Sequence, residues 1–440
     1  MSLYRFHLWV TFPSGERIEA ARLAATDTPK RGAPTGVFRY ADPYLDHPHA
    51  FPLHPTHLPL GGETYRTFRP TGLFSAIEDS IPEGWGRGLL IRKHSLEPNQ
   101  ATKLALLERM GADAMGALSC SMTGTPPPPY VSEAAWDLEL IVDAAQRIIN
   151  GERVPDRELA LLLNAGSSSG GARPKALIHE GGKEYLAKFP SPRDSMDAVR
   201  IEAASMEMAA QAGLDVPDRQ LRMVGARPVF LIRRFDVTPE GGRNHLLSLR
   251  ALLDADSDSG FSYRDIGDQL RRREVSYRPH QDVPNLVRQM TFNSAICNVD
   301  DHLRNFSVLH DHHGWRLAPS YDMVPARSTA PTGMESDTYH YHHIALLNDD
   351  LPLNRDRLAD IARNFGLSKA RVTAIFDQVY EAVRPWASVM EEFGVPGRDI
   401  DRLKRDIEPR LQLIGNPAQG PAPVKQDQPS GEDPGFIAKE

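Results

Sequence analysis

Two aspartates and an asparagine in the C-terminal half carry the residue types and spacing for phosphoryl transfer. Asp300 and Asn305 stand in Asn298-Val299-Asp300-Asp301-His302-Leu303-Arg304-Asn305-Phe306-Ser307, and Asp322 follows in Ser320-Tyr321-Asp322. An aspartate, four intervening residues, an asparagine and, after a short hairpin, a second aspartate is the order in which kinases set a base and metal ligands around ATP. Asp300 takes the place beside the attacking hydroxyl, and is preferred to Asp301 because it stands five positions before Asn305. Asn305 and Asp322 offer the hard oxygen ligands that Mg²⁺ prefers. His302, between base and ligand, is a further catalytic candidate or a brace of the loop. Asp, Asn and His also gather in ordinary turns, where their side chains cap backbone groups. The spacing therefore gains meaning only if a phosphate-covering loop, a strand lysine and a helix glutamate come before it.

All three do. Gly166-Ser167-Ser168-Ser169-Gly170-Gly171-Ala172-Arg173-Pro174-Lys175 feeds the strand-like Ala176-Leu177-Ile178. With no Cβ to block the approach, a loop through Gly170, Gly171 and Ala172 can lay backbone N–H groups against phosphate oxygens. It is neither a Walker A sequence nor G-x-G-x-x-G, and by itself it reads equally as a flexible Ser/Gly linker. After a turn at Gly181-Gly182 the returning strand reaches Lys188. Strand periodicity puts Lys188 on the side of Leu186 and opposite Phe189, placed to contact the α- and β-phosphates.

The spacing predicts a helix from Asp197 to Gln211, stopped by Gly213 and Pro217. Val199, Glu202 and Met206 fall at i, i+3 and i+7, so Glu202 points inward with the apolar stripe. A buried unpaired carboxylate costs on the order of several kcal/mol, which makes Lys188 its expected partner. Two further strands, around Gly225-Ala226-Arg227, end in Arg233-Arg234-Phe235-Asp236. There the chain passes into the next lobe, where backbone near Arg233 and Phe235 would meet adenine.

The elements that must position these groups suggest an ordered succession. Residues 1–124 read as a β-rich N-terminal lobe, 125–135 as a Pro-rich connector, and 136–237 as a strand-rich lobe holding the glycine loop. Residues 238–415 read as a helical lobe and 416–440 as a disordered tail. Gly84, Trp85 and Gly86 read as a buried packing corner. Leu246 to Leu253 is expected to be helical, and a helix from Val283 to Ile296 delivers the Asp300 loop. His340, His342 and His343 lack a zinc-ligand spacing. At 440 residues the chain calls for about two to three domains, with 40% hydrophobic residues supplying their cores. A net charge of −7 argues against gripping nucleic acid unaided. Two distant cysteines, no signal-peptide pattern and no apolar run near ~20 residues point to a cytoplasmic, non-membrane protein.

These residues resemble the HipA family, serine/threonine-protein kinase toxins of type II toxin-antitoxin pairs. The likeness runs from the first strands to about residue 415. It is carried by Gly170-Gly171-Ala172-Arg173-Pro174-Lys175, by 298–307 and by Leu317-Ala318-Pro319-Ser320-Tyr321-Asp322-Met323. It implies an α+β, bilobal protein-kinase-like fold with β-rich N-terminal lobes and an α-helical C-terminal lobe, with ATP and Mg²⁺ as cofactors. On that resemblance Lys188 is the ATP-phosphate lysine, Glu202 its helix partner and Phe235 with its neighbours the hinge. Asp300 is the base, and Asn305 and Asp322 are the metal ligands. It further implies inhibitory autophosphorylation of a loop serine. Counting back from Gly171 points to Ser168, with Ser167 and Ser169 as alternatives. The implied partners are a HipB-like helix-turn-helix antitoxin, operator DNA mainly through that antitoxin, and a protein substrate in translation such as an aminoacyl-tRNA synthetase. The Arg173-Pro174 loop variant and the tail after residue 415 depart from the pattern. The same residues also suit a small-molecule kinase or a non-catalytic member of a repressor complex.

Overall fold

The structure is a computed structural model that describes residues 3–27, 32–112, 114–128, 138–166, 171, 173–257, 260–325, 342–347 and 352–415. Ser167, Ser168, Ser169, Gly170 and Ala172 of the glycine loop, His340, most of the connector and the tail after residue 415 lie outside the described residues.

Alternating burial builds the first sheet. In β1 (Leu3–Thr11) Phe6, Leu8 and Val10 face inward, and β1 pairs with β2 (Arg17–Thr26). With β3 (Gly36–Tyr40), β4 (Tyr65–Thr67) and β5 (Leu118–Ser121) the order is β4-β3-β2-β1-β5. Its core is aromatic, with Phe6, Phe38, Tyr40 and Tyr44 almost fully enclosed. The Tyr40 hydroxyl donates to the Leu58 carbonyl at 2.6 Å, so the ring is buried without an orphaned polar tip.

A second sheet, ordered β6-β7-β9-β8, follows. β6 (Lys175–Glu180) and β7 (Lys183–Lys188) turn at Gly181 and Gly182, both with positive φ, a conformation glycine adopts without penalty. β8 (Arg219–Val224) and β9 (Arg227–Arg233) turn at Gly225 in the same way. One face carries Ala176, Ile178, Ala187, Phe189, Val229 and Leu231 against the helices Leu138–Ile149 and Asp156–Gly166. Phe230 and Ile232, on the other, pack with the helix Ala198–Gln211.

The third sheet joins β10 (His245–Ser248), β11 (Ser307–Asp311) and β12 (Gly314–Leu317) beneath a helical lobe. The helix expected from Leu246 to Leu253 is corrected here: His245–Ser248 pairs with β11, and only Leu249–Leu252 is helical. A short apolar run has no period of its own, and the free edge of β11 decides for strand. Ser248 then caps the single turn, accepting from the Ala251 amide at 3.2 Å. The long helix Pro279–Ala295 runs through the centre of this lobe, packed by Lys369–Val383 and Gly397–Ile414. Cys120 and Cys297 are buried free thiols. Among the described residues no helix is long and apolar enough to cross a membrane.

Histidines line the junction of the N-terminal sheet with the helical lobe. The His54 Nε2 meets the Ala251 carbonyl at 3.1 Å, the His245 Nε2 meets the Leu53 carbonyl at 3.3 Å, and Phe51 stacks on His310 at 4.3 Å. Burial pushes all three imidazoles down to about 4. An unfolded histidine takes its proton near 6.5, so between these values the unfolded chain binds protons that the folded chain refuses, and stability falls as pH drops. The urea midpoint is expected to decline from pH 6.5 towards 4, and less steeply in His310→Phe; a midpoint independent of pH would contradict this.

Candidate nucleotide and metal site

The site begins with a cation that two carboxylates compete for. Lys188 ends β7 on the face turned towards the helix Ala198–Gln211, and it is almost wholly buried, as is Glu202 on that helix. Its Nζ donates to Glu202 Oε1 at 2.5 Å and to Asp322 Oδ1 at 2.6 Å. Burial works against the ammonium, but Asp322 and Glu202 outweigh it and hold Lys188 above its ordinary value. Lys188 in turn keeps the Asp322 carboxyl well below the usual carboxylate range. The upper sheet, its helix and the segment after β12 are thereby tied at one point.

Asp322 is set by its backbone. Its φ of +57° lies in the left-handed region, uncommon for any residue but glycine and a form of strain that gathers at functional sites. Just before it, the Tyr321 hydroxyl donates to the Arg304 carbonyl at 2.8 Å and shares a 2.6 Å bond with Ser307.

The Asp300 loop hangs from the end of the helix Pro279–Ala295. Cys297, at φ +57°, reverses the chain, and the Asn298 amide closes on the Asn293 carbonyl at 2.8 Å, a closure in which glycine usually stands at the left-handed position. Asn293, which breaks the apolar stripe in the sequence, is buried for a reason: it donates to Tyr263 Oη at 2.9 Å and accepts from Asn298 at 3.1 Å. The Tyr263 hydroxyl passes the chain of bonds on to Asp301 at 2.7 Å. Asp301 also meets His342 Nδ1 at 2.7 Å and accepts from the His343 amide at 3.0 Å. Asp301 is thus an internal anchor, and its neighbour Asp300 is the exposed carboxylate. Partial withdrawal from water raises the Asp300 carboxyl, aided by Asp322 and opposed by His302, which suits a proton acceptor. The His302 ring lies edge-on to His343 at 5.8 Å.

Asn305 sits on a single 3₁₀ turn, Leu303–Asn305, and its Nδ2 donates to the Asp300 carbonyl at 2.8 Å. That bond engages the amide nitrogen, so Oδ1 is the oxygen the side chain can offer to a ligand. Asn305 Oδ1 and the Asp322 carboxylate are hard oxygen donors of the kind that fits Mg²⁺, which takes one or two protein oxygens and completes its shell with phosphates and water. Among the described residues no group of three or more His, Cys, Asp or Glu is arranged to hold a metal by itself.

Two features of the site are absent from the sequence expectations. Lys175 lies directly across from Lys188 in the β6–β7 register, and is buried beside it. Burial pushes its ammonium down to about 8, with Lys188 adding to the effect. The signal was present: a turn centred on Gly181-Gly182 sets the two lysines opposite each other. The second is the clamp on the strand end expected to be the hinge. The Phe235 ring stacks on Tyr321 at 5.9 Å, while Arg234 and Asp236 turn the other way into a buried pair at 2.6 Å. Asp236 accepts from the Gly116 amide at 2.7 Å and Arg234 donates to the Ala114 carbonyl at 3.0 Å, so the N-terminal lobe grips this strand end. Arg233 points away, to Asp218 at 3.0 Å.

A sequence model of the HipA-like C-terminal domain matches residues 167–387, half of the chain, and one of the HipA N-terminal domain matches residues 19–121. The chain belongs to the HipA family. Two relatives of Sinorhizobium fredii carry the names "Putative kinase Y4mE" and "Putative kinase Y4dM". The first is 26% identical over 415 residues, covering 86% of this chain and 93% of that protein. The second is 27% identical over 350 residues, covering 75% and 80%. Among solved structures, the HipA fold of this chain matches the Shewanella oneidensis MR-1 toxin-antitoxin system HipA, HipB and operator DNA complex. The TM-score is 0.65 at 18% identity, over 92% of this chain and 96% of that one. The fold is therefore the α+β, protein-kinase-like one of HipA, β-rich towards the N-terminus and helical towards the C-terminus.

In this HipA-family chain the Lys175 charge is present at pH 7 and lost as pH rises through about 8. ATP affinity, read with a fluorescent nucleotide, is expected to weaken about fivefold from pH 7 to 9, and to show no such slope in Lys175→Met. Equal slopes in both proteins would contradict this.

Proposed function

We propose that the chain is an ATP-dependent serine/threonine protein kinase of the toxin-antitoxin type. The observation that carries this reading is the Lys188 ammonium, held between Glu202 of one lobe and Asp322 of the other, 2.5 and 2.6 Å away. A buried cation shared by two carboxylates across a cleft is costly to assemble unless the cleft uses it.

In this reading Lys188 and Lys175 hold the α- and β-phosphates, with Gly170, Gly171 and Ala172 supplying backbone donors. The backbone at Arg233 and Phe235 meets adenine. Asp300 orients a serine or threonine hydroxyl and takes its proton as the new oxygen–phosphorus bond forms and the bond from the γ-phosphorus to the ADP oxygen breaks. Mg²⁺, bound with the nucleotide on Asn305 and Asp322, would neutralise charge on the phosphoryl oxygens. His302, two residues beyond Asp300, stands near enough to Asp322 to help hold its carboxyl low.

The family supports three further parts of the proposal. A serine of the glycine loop, Ser168 or its neighbours Ser167 and Ser169, is an internal acceptor whose phosphorylation silences the site. The external acceptor is a protein of the translation machinery, such as an aminoacyl-tRNA synthetase. The partner is a HipB-like helix-turn-helix antitoxin in the cytoplasm; at a net charge of −7 this chain leaves most phosphate contacts with operator DNA to that partner.

Asp300→Asn keeps the shape of the side chain and removes the base. Phosphate transfer from labelled ATP to the chain and to proteins of a cell extract is expected to fall by about a hundredfold or more, with the melting temperature unchanged. Transfer at the wild-type rate would remove Asp300 from the role, and label found only on small molecules would overturn the protein-kinase reading.

A further inference from the structure

The corner Glu83-Gly84-Trp85 of the N-terminal lobe touches the nucleotide cleft from two sides. It opens the helix Gly84–Lys93, and Gly84, at φ +53°, makes the turn that a side chain would resist. The first amides of a helix have no partner within it. That of Trp85 finds one outside, donating to the Gly171 carbonyl at 2.8 Å. The Trp85 indole Nε1–H donates to the Lys175 carbonyl at 3.0 Å, ninety residues away in the chain. Packing fixes the same contact. Gly166, ending the helix Asp156–Gly166, lies so close that a Cβ there would stand 2.4 Å from Leu89 and 3.4 Å from the Trp85 indole nitrogen. On the other side the Glu83 carboxylate pairs with the Arg304 guanidinium, on the 3₁₀ turn that carries Asn305. Lys103 holds the same carboxylate at 3.2 Å, so Glu83 is fixed from both ends.

We propose that Trp85 and Glu83 are positioning residues of the kinase site: Trp85 holds the backbone from which Lys175 projects, and Glu83 holds the turn from which Asn305 projects. The N-terminal lobe is then a third wall of the active site, setting the distance between the phosphate-binding strand and the metal-binding turn. The inference rests on the kinase reading above. It adds that residues with no reach to the substrate govern how the phosphate-binding strand and the Asn305 turn are placed.

The full chain tests it in three forms: wild type, Trp85→Phe, which keeps an aromatic ring and deletes only the indole donor, and Glu83→Gln, which keeps size and deletes charge. Steady-state kinetics with ATP and amide exchange of residues 173–177 without nucleotide are measured on each. In Trp85→Phe the KM for ATP is expected to rise about tenfold with kcat within about twofold, and exchange at Lys175 and Ala176 to quicken about tenfold, the effect of one lost hydrogen bond. In Glu83→Gln kcat is expected to fall about tenfold while exchange at 173–177 stays at the wild-type rate. If wild type turns over ATP and both variants match it in KM, kcat and exchange, this inference is overturned alone. So is it if both variants lose kcat in proportion to a fall in melting temperature, with KM unchanged. A wild type that turns over no ATP overturns the kinase reading and this inference with it.

Discussion

The Lys188 ammonium is the interaction on which the rest of the structure depends. A lysine removed from water keeps its charge only if carboxylates replace the solvent, and here two do so from different segments of the chain. Each contact fixes a distance: Glu202 sets the helix Ala198–Gln211 against the β6-β7-β9-β8 sheet, and Asp322 sets the segment after β12 against β7. Loss of either carboxylate would leave a buried cation half-compensated, at a cost of about 3–5 kcal/mol. The cleft that these three side chains line is therefore part of what holds the two lobes in register.

The acceptor side of the cleft is built by backbone closure and by a buried polar chain. A left-handed residue ends the helix Pro279–Ala295 at Cys297, and another aims the side chain of Asp322. Between them Tyr263, Asn293, Asn298, Asp301 and His342 form a bonded series with few alternatives in the interior. Polar groups there are expensive to leave unmade, so the series favours one loop conformation. Rigidity of this kind suits phosphoryl transfer, in which placement and electrostatics supply most of the acceleration.

Much of the site was legible because it is local or periodic. The turn at Gly181-Gly182 and strand alternation put Lys188 opposite Phe189, helical spacing turned Glu202 inward, and the need to neutralise it named Lys188. The spacing of Asp300, Asn305 and Asp322, on which their proposed roles rest, needed only counting. What escaped depends on residues far apart in the chain. Trp85 reads only as part of a packing corner with Gly84 and Gly86, and Glu83 draws no notice, since nothing in their own segment points to Lys175 or Arg304. Asp301 could be set aside by spacing, but its role as anchor needs Tyr263 and His342, each about forty residues away. Leu246 to Ser248 falls within the expected helix because so short a run holds no period, and the edge of β11 that makes it a strand lies about sixty residues on. Arg234 and Asp236 drew notice only as neighbours of Phe235, although their grip on Ala114 and Gly116 is what holds that strand end.

The most direct measurement is a crystal structure of the chain with a non-hydrolysable ATP analogue and Mn²⁺, the metal located by its anomalous scattering. The account expects a metal peak about 2.2 Å from Asn305 Oδ1 and from an Asp322 oxygen, with α- or β-phosphate oxygens beside Lys188 and adenine against the backbone at Phe235. A nucleotide bound elsewhere, or a metal that touches neither Asn305 nor Asp322, would contradict it.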